Sequence, residues 1–416
     1  MSIRLGLREN LGQFSLLVLV NAFVGAMLGL ERSILPLIAE QEFHLAARSA
    51  ILSFIIVFGI TKALTNYLAG RLSDHFGRRN ILVLGWLVAL PVPFLLMWAP
   101  SWNWILFANV FLGISQGLTW SVTVIMKIDL VGPRQRGLAM GLNEFSGYFA
   151  VAGSALATGW LASRYGLRPE PFYLGVIYGL VGLGLSAFLV RDTRDHVLHE
   201  SRLQAGGDDA GPLPSQSDIF RRVSLSDRNL SSVSQAGFVN NLNDGMAWGM
   251  FPLLYAATGL TLTQIGLLAA TYPAIWGMTQ VLTGAFSDRV GRKLLIVWGM
   301  WVQAAGIALT AMSTSFTGFM MGGVLLGLGT AMVYPTLLAA IGDVTPTQWR
   351  ASAVGVYRLW RDLGYAAGAL LAGLIADILG ASAAVGATAG LTFFSGLLVL
   401  LRMRETLARN IPGEAV

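Results

Sequence analysis

The chain has 416 residues, of which 55% are hydrophobic and only 12% are charged, and its mean hydropathy is +0.63. Soluble domains carry about 25% charged residues, so the composition excludes a water-soluble globular enzyme of this size. The formal net charge is +6, and the absence of cysteine excludes disulfide bonds and thiolate metal sites.

Apolar stretches long enough to cross a bilayer recur along the whole chain. A helical span needs about 20 predominantly apolar residues, and glycine, proline and charge clusters separate twelve such stretches. We therefore predict an all-α membrane protein with twelve transmembrane helices. The predicted spans, numbered 1 to 12 in chain order, are 13–36, 49–70, 80–98, 103–126, 137–163, 172–190, 231–256, 264–285, 294–312, 316–340, 352–377 and 383–401.

The basic residues predict the orientation, because cytoplasmic loops carry an excess of lysine and arginine. Only Arg32, Arg48, Arg164 and Arg168 fall beside the connections that follow odd-numbered spans. The connections after even-numbered spans contain Arg71, Arg78, Arg79, Lys127, Arg134, Arg136, Arg289, Arg292, Lys293 and Arg350. We therefore expect a multi-pass protein of the bacterial inner membrane with both termini in the cytoplasm. The basic excess is explained by the membrane surface, and no nucleic-acid partner is expected.

A polar segment divides the chain into two halves. Residues 191–230 are rich in charged residues, glycine and proline, which is typical of a linker. The predicted domains are a first six-helix bundle (1–190), a cytoplasmic linker (191–230) with a short helix at its end, and a second six-helix bundle (231–416).

The second half repeats the first at an offset of 214 residues. GRLSDHFGRRN begins at Gly70 and GAFSDRVGRKL begins at Gly284, and the same offset brings two later charged pairs into register. Three matching segments in one register indicate an internal duplication. The paired positions are Gly70 with Gly284, Asp74 with Asp288, Gly77 with Gly291, Arg78 with Arg292, Arg79 with Lys293, Asp129 with Asp343, and Arg136 with Arg350.

The motif G-x-x-x-D-x-x-G-R-[RK], present in both copies between spans 2 and 3 and between spans 8 and 9, resembles the signature loop of the major facilitator superfamily. The resemblance covers essentially the whole chain. It implies two bundles that rock around a central cavity lined by spans 1, 4, 7 and 10, with spans 2, 5, 8 and 11 along the seam between them.

In that family the loop acts as a gate. The resemblance implies that Asp74 accepts hydrogen bonds from the start of span 11, where the helix dipole favours an anion. We expect Arg78 to pair with Asp129 and Arg292 with Asp343, which would bias the equilibrium of alternating access. The alternative is that these residues only anchor the loops at the lipid headgroups.

Six ionisable residues lie at membrane depth, where a lipid-facing charge is costly. We expect Glu144 and Asp244 to couple protons, and the arginines to bind an anionic substrate or to control the carboxylates. Arg358 could pair with Asp362, Arg361 with Glu144 or Asp244, and Lys62 with Asp362. The alternative is a purely structural ion-pair network. The six candidates are Lys62, Glu144, Asp244, Arg358, Arg361 and Asp362.

Polar and aromatic side chains in the same spans are further candidates for the cavity wall. Taken singly, each is better explained by packing or by an interhelical hydrogen bond. These residues are Asn21, Gln116, Trp120, Asn240, Asn241, Trp248 and Tyr334.

These patterns predict a secondary active transporter, proton-coupled and monomeric, for a small molecule or ion. Export is slightly favoured over import, although span 4 has Gly113 where related drug–proton antiporters carry arginine. The alternatives are transport of a metal ion or metal complex and a non-transporting membrane sensor or scaffold. We expect no enzyme activity, no bound metal and no cofactor, because no catalytic constellation or nucleotide loop is found.

Overall fold

The computed structural model describes residues 5–131, 136–196 and 214–407. Within the helices, the side chains at positions 70, 71, 74, 136–138, 285, 288, 347, 348, 350 and 351 are not described. The described residues form helices with short connections and contain no strand, which confirms the predicted all-α fold.

Each predicted span corresponds to one helix or to two helices in line. The first half contains span 1 (Leu11–Arg32 and Leu35–Gln41), span 2 (Arg48–Ile51 and Ser53–Phe76), span 3 (Arg78–Ala89 and Pro91–Met97), span 4 (Trp102–Val131), span 5 (Arg136–Tyr165) and span 6 (Tyr173–Phe188). The second half contains span 7 (Arg228–Ala257), span 8 (Leu262–Val290), span 9 (Arg292–Met312), span 10 (Phe316–Val344), span 11 (Thr347–Leu379) and span 12 (Ala381–Arg402). A short helix, Gln216–Arg221, precedes span 7, as predicted.

Most helices continue a few residues beyond the apolar runs, because polar residues extend the same hydrogen-bonded backbone. The structure corrects the placement of two basic residues. Lys127, expected in a cytoplasmic connection, lies inside span 4 and is fully buried. Arg32, expected on the opposite side of the membrane, is the last residue of helix Leu11–Arg32 and is also buried.

In the described part of the chain, nine helical stretches are long and apolar enough to cross a membrane. The helices of spans 2, 5 and 7 are outside this set. They carry Lys62, Glu144 and Asp244 respectively, and all three side chains are buried. The described part of span 2, Ser53–Ala69, is apolar but shorter than the length needed to cross a membrane.

The two bundles meet along two seams, one between spans 5 and 8 and the other between spans 2 and 11. The duplication relates the two seams to each other, because span 2 corresponds to span 8 and span 5 corresponds to span 11. Spans 1 and 7 carry long runs of buried residues between the seams. We call the side that carries Gly77 and the start of span 7 the linker face, and the opposite side the far face.

Small residues allow span 1 to pack closely on span 5. A Cβ atom at Gly25 would overlap the backbone of Gly147, and one at Gly29 would lie 2.5 Å from the carbonyl oxygen of Val151. Close backbone approach is how helices associate in lipid, where no hydrophobic force drives them together. The abundant glycine of this chain serves, at these positions, as a packing surface.

Candidate functional site

The linker face carries two equivalent ion pairs. Arg78 at the start of span 3 contacts Asp129 in span 4, and Arg292 at the start of span 9 contacts Asp343 in span 10. The distance from arginine Nε to aspartate Oδ2 is 3.1 Å in both copies. The structure thus forms the two pairs expected from the repeat.

Glycine at the turn before spans 3 and 9 is required by the backbone. Gly77 has φ +88° and Gly291 has φ +107°, a region that residues with a Cβ atom rarely adopt. The next helix begins immediately after each glycine, so its first N–H groups need acceptors from outside the helix.

Two acidic residues supply these acceptors, and the sequence analysis missed both. Asp192 after span 6 accepts a hydrogen bond from the Arg79 N–H (3.0 Å), and Glu405 after span 12 accepts one from the Arg292 N–H (2.8 Å). Each is followed by a threonine that donates to the paired aspartate, Thr193 to Asp129 and Thr406 to Asp343. The repeated letters R-D-T from Arg191 and R-E-T from Arg404, at an offset of 213, are the signal that could have found them.

The environment of Glu405 shifts its pKa. Burial raises the pKa of this carboxyl, but hydrogen bonds from the backbone N–H groups of Leu407, Arg292, Lys293 and Thr406 lower it by more. The net pKa lies below the ordinary value of 4.5. Glu405 is therefore a carboxylate at neutral pH and suits the positive end of span 9.

The remaining gate residues are only partly placed. The structure does not describe the contacts of Gly70 or the side chains of four other residues of this set, Asp74, Arg136, Asp288 and Arg350. The Arg79 guanidinium donates to the carbonyl oxygen of Ala187 at the end of span 6. A Cβ atom at Gly284 would lie 3.8 Å from Pro335, and the Lys293 N–H donates to Glu405.

A buried ion pair joins the two halves in the interior of the molecule. The Arg32 guanidinium donates two hydrogen bonds to the Asp244 carboxylate, Nη1 to Oδ1 at 2.6 Å and Nη2 to Oδ2 at 2.9 Å. The side chains are 3% and 0% exposed. Asp244 is thus paired with Arg32, which the sequence analysis had placed in a connection, rather than with Arg361.

An aromatic cluster surrounds this pair. The Arg32 guanidinium carbon lies 5.1 Å from the ring centroid of Trp248. Trp248 in turn makes edge-to-face contacts with Phe54, Phe58 and Tyr365 across the seam between spans 2 and 11. The rings exclude water from the pair and so strengthen it.

The far face is closed by further contacts between the halves. Asp377 near the end of span 11 accepts a hydrogen bond from the Ser49 N–H at 3.1 Å, and also accepts bonds from the Arg48 N–H and the Ser49 hydroxyl. Gly159 of span 5 packs against Gly266 of span 8 on the same side. Both seams therefore join the two halves at the far face.

A second ionic cluster lies between spans 10 and 11. Arg361 donates to the neighbouring Asp362 through Nε at 2.8 Å and also contacts the Tyr334 hydroxyl. Asp362 is fully buried and also accepts hydrogen bonds from Asn66 and Asn241. The expected pairing of Arg361 with Glu144 or Asp244 is therefore wrong.

Glu144 lies in a hydrogen-bonded chain within the first half. Its Oε1 accepts from Trp120 Nε1 at 3.2 Å and from Asn143 Nδ2 at 2.9 Å, while its Oε2 is buried without a hydrogen-bond partner. Asn143 also accepts from the Lys127 amine. No charged group of the described residues forms an ion pair with Glu144.

Lys62 and Arg358 lack the partners expected from the sequence. Among the described residues, neither forms an ion pair, so the predicted Arg358–Asp362 and Lys62–Asp362 contacts are not present. The Lys62 side chain is buried and faces three aromatic rings. Arg358 is half-buried, and its Nε has no hydrogen-bond partner.

The polar cavity candidates mainly join helices of the same half. Asn21 donates to the Asn143 carbonyl oxygen (2.7 Å) and Gln116 to that of Val24 (2.8 Å). Asn240 accepts from Gln303 at 3.0 Å. Four members of this set also contact charged side chains of the central clusters. They are Trp120, Trp248, Asn241 and Tyr334.

No group of three metal-binding side chains occurs among the residues that the structure describes. The central region can instead bind a molecule through cations, carboxylates and aromatic rings. Its charges lie between the two halves, which contact each other mainly along the two seams.

A bundle of membrane-spanning helices with an internal two-fold repeat and an ionic centre between its halves is the architecture of a secondary transporter. The sequence profile described as "Major Facilitator Superfamily" matches residues 16–229 and 233–415. The chain belongs to the major facilitator superfamily, as the resemblance implied.

Known proteins similar to this chain include transporters. A "Probable 4-methylmuconolactone transporter" of Cupriavidus pinatubonensis is 26% identical, over 86% of this chain and 82% of that protein. The "Quinolone resistance protein NorA" of Staphylococcus aureus is 26% identical, over 34% of this chain and 36% of NorA. The crystal structure of the human organic anion transporter MFSD10 (TETRAN) shares the fold, with a TM-score of 0.66 and 17% identity over 93% of this chain and 98% of that chain.

Proposed function

We propose that the protein is a proton-coupled secondary transporter that moves a small organic molecule across the bacterial inner membrane by alternating access. Export in exchange for protons is the favoured direction, and the monomer is the working unit. The observation that carries the proposal is the buried ion pair between Arg32 of span 1 and Asp244 of span 7.

This pair is suited to couple protonation to movement. Asp244 is fully buried, and its ionised form is held by a guanidinium from the opposite half. Removing one partner of a buried pair typically costs about 3–5 kcal/mol because it leaves the other charge uncompensated. A proton on Asp244 would have a similar effect, and an energy of this size is enough to reverse a two-state equilibrium.

Glu144 is the second proposed proton-binding group. One of its oxygens accepts two hydrogen bonds, while the other is buried without a partner and is free to hold a proton. Trp120 connects it to the central aromatic rings, so a change in its charge reaches the region between the halves. Two carboxyls in different environments could bind and release protons at different steps of the cycle.

The names of similar proteins support a small organic substrate. They include a methylmuconolactone, quinolone resistance and organic anions, and the local similarity to NorA supports export. The excess of basic residues beside the linker face supports a cytoplasmic location for that face, and the membrane lipid then surrounds the spans.

Transport into proteoliposomes under an imposed pH gradient tests the proposal, with 4-methylmuconolactone and a quinolone as probes. We expect the gradient to drive flux of at least one probe, and Asp244→Asn and Glu144→Gln to abolish the pH dependence. Glu42→Gln is the control, since Glu42 forms an exposed ion pair with Arg168 within one half. Equal flux without the gradient and in both variants would overturn the coupling, and no flux with any probe would favour a sensor or scaffold.

A further inference from the structure

Lys62 of span 2 has an unusual setting for a buried cation. Its side chain is 4% exposed, and its amine lies 5.5 Å from the ring centroid of Phe58, 5.4 Å from that of Trp120 and 5.1 Å from that of Tyr365. We call these three rings the aromatic cage. An ammonium group is attracted to the faces of aromatic rings, but rings alone replace only part of its hydration.

The carboxylates nearest to Lys62 are already used by other groups. Asp362 is held by Arg361 and two asparagines, and Asp244 is held by Arg32. Glu144 directs one oxygen to Trp120 and Asn143. Among the described residues, no carboxylate oxygen lies within salt-bridge distance of the Lys62 amine. The protein therefore leaves this positive charge without a counterion.

The same imbalance holds for the interior as a whole. Between the linker-face ion pairs and the far face, the described spans contain five buried or half-buried cations, Arg32, Lys62, Lys127, Arg358 and Arg361. They contain four buried carboxylates, Glu31, Glu144, Asp244 and Asp362. Counted by residue type, cations exceed carboxylates by one, so the interior has no excess of carboxylates that would repel an anionic ligand.

The cage also lies where a ligand could enter. Phe58 and Trp120 belong to the first half, whereas Tyr365 belongs to the second half, so separation of the halves would open one wall. Further rings from both halves continue from Trp120, with centroid distances of 5.3 Å to Tyr148 and 3.5 Å from Tyr148 to Trp276. This row of tilted rings offers apolar contacts beside the uncompensated cation.

We propose that Lys62 and the aromatic cage bind the carboxylate of an organic monoanion, and that the row of rings from Trp120 to Trp276 holds its planar body. The proposal names the substrate class of the proposed transporter and rests on that function. The carboxylate would replace the ring of Tyr365 as the main partner of the Lys62 amine when the halves separate.

Binding to the full-length protein in lipid nanodiscs tests the inference. The probes are aromatic monocarboxylates from benzoate to naphthoate, each compared with its uncharged carboxamide, and the readouts are the melting temperature and tryptophan fluorescence. We expect at least one acid to bind, and its amide to bind about tenfold or more weakly, because a charge-assisted hydrogen bond is lost.

Variants of Lys62 separate its role in binding from a role in folding. We expect Lys62→Met to weaken acid binding by about tenfold or more, while the ligand-free variant melts at the same or a higher temperature because an uncompensated buried charge has been removed. Lys62→Arg keeps the charge and should retain most of the binding. Lys127→Met is the matched control, because it removes a buried lysine that already donates to Asn143; it should weaken binding far less.

Three results would overturn the inference: acid and amide binding equally, acids binding Lys62→Met as well as the parent protein, or no acid binding at all. The result also separates this inference from the proposed function. Acid binding without pH-driven flux would refute the transporter and leave the anion site. Flux of only neutral or cationic probes would refute the anion site and leave the transporter.

Discussion

The internal duplication is preserved at the linker face but has diverged in the centre of the molecule. At the linker face both copies have the same residues and the same geometry, since Arg78–Asp129 and Arg292–Asp343 have equal Nε–Oδ2 distances of 3.1 Å. The acidic residues that accept the first N–H groups of spans 3 and 9 are also duplicated. The repeat has therefore preserved the contacts of the linker face.

In the centre, the same offset of 214 relates residues of different chemistry. Lys62 corresponds to Trp276, Glu144 to Arg358, and Tyr148 to Asp362. In each of these three pairs, a charge in one half corresponds to an aromatic ring or to the opposite charge in the other half. The contacts at the linker face are therefore two-fold symmetric, whereas the charged residues proposed above to bind protons and substrate are not.

The largest expected effect concerns the unduplicated pair in the centre. Asp244→Ala should lower the free energy of unfolding by about 3–5 kcal/mol, because Arg32 is left buried and unpaired. The measurement is thermal or denaturant unfolding in detergent. The double variant Arg32→Met with Asp244→Leu should recover most of the loss, since neither charge remains; a double variant as unstable as the single one would contradict this.

Equivalent glycines at helix crossings provide the next test of the duplication. A Cβ atom at Gly113 would lie 2.9 Å from the Phe58 carbonyl oxygen, and one at Gly327 would lie 2.8 Å from that of Tyr272. Gly113→Ala and Gly327→Ala should each destabilise by about 1–3 kcal/mol through overpacking. Gly153, which has nothing within 4 Å, is the control for the helix propensity of alanine. A large difference between the two losses of stability would show that the two crossings are not equivalent.

An effect of similar size is expected at the duplicated ion pairs. Arg78→Gln and Arg292→Gln should reduce stability by similar amounts, about 1–3 kcal/mol each, because both remove a charge-assisted hydrogen bond to aspartate. Transport assayed with protein abundance would show whether both copies gate the cycle. Loss of transport in one variant alone would mean that the copies have different functions.

The smallest effect is the pH dependence of Glu405. Its pKa is depressed in the folded protein, so its contribution to stability is present above the ordinary value of 4.5 and is lost as the pH falls through the folded pKa. Melting temperatures measured from neutral pH down to acid should fall less steeply for Glu405→Gln than for the parent protein. Identical pH profiles would show that this carboxylate does not stabilise the start of span 9.

Apolar runs and the repeat were enough to predict the helices, the two halves and the linker-face pairs, because these depend on local composition and on residues in register. The partners in the centre were not predictable in the same way. Arg32 follows Glu31 at the end of an apolar run and was expected beside a connection, yet it ends the helix Leu11–Arg32 and its guanidinium contacts Asp244. Asp362 is taken by its neighbour Arg361, a contact that helical spacing argues against. The Arg32–Asp244 pair depends on how the two halves dock, which the sequence pattern does not encode.

The most direct test of the central claim measures the distance between the two halves at the far face while Asp244 is protonated or neutralised. The chain contains no cysteine, so spin labels can be placed at Tyr165→Cys and Ile378→Cys, exposed positions in opposite halves beside the far face. We predict a single short distance at neutral pH, a longer distance at acidic pH, and the longer distance at both pH values in Asp244→Asn. A short distance under all these conditions would show that the Arg32–Asp244 pair does not hold the far face closed.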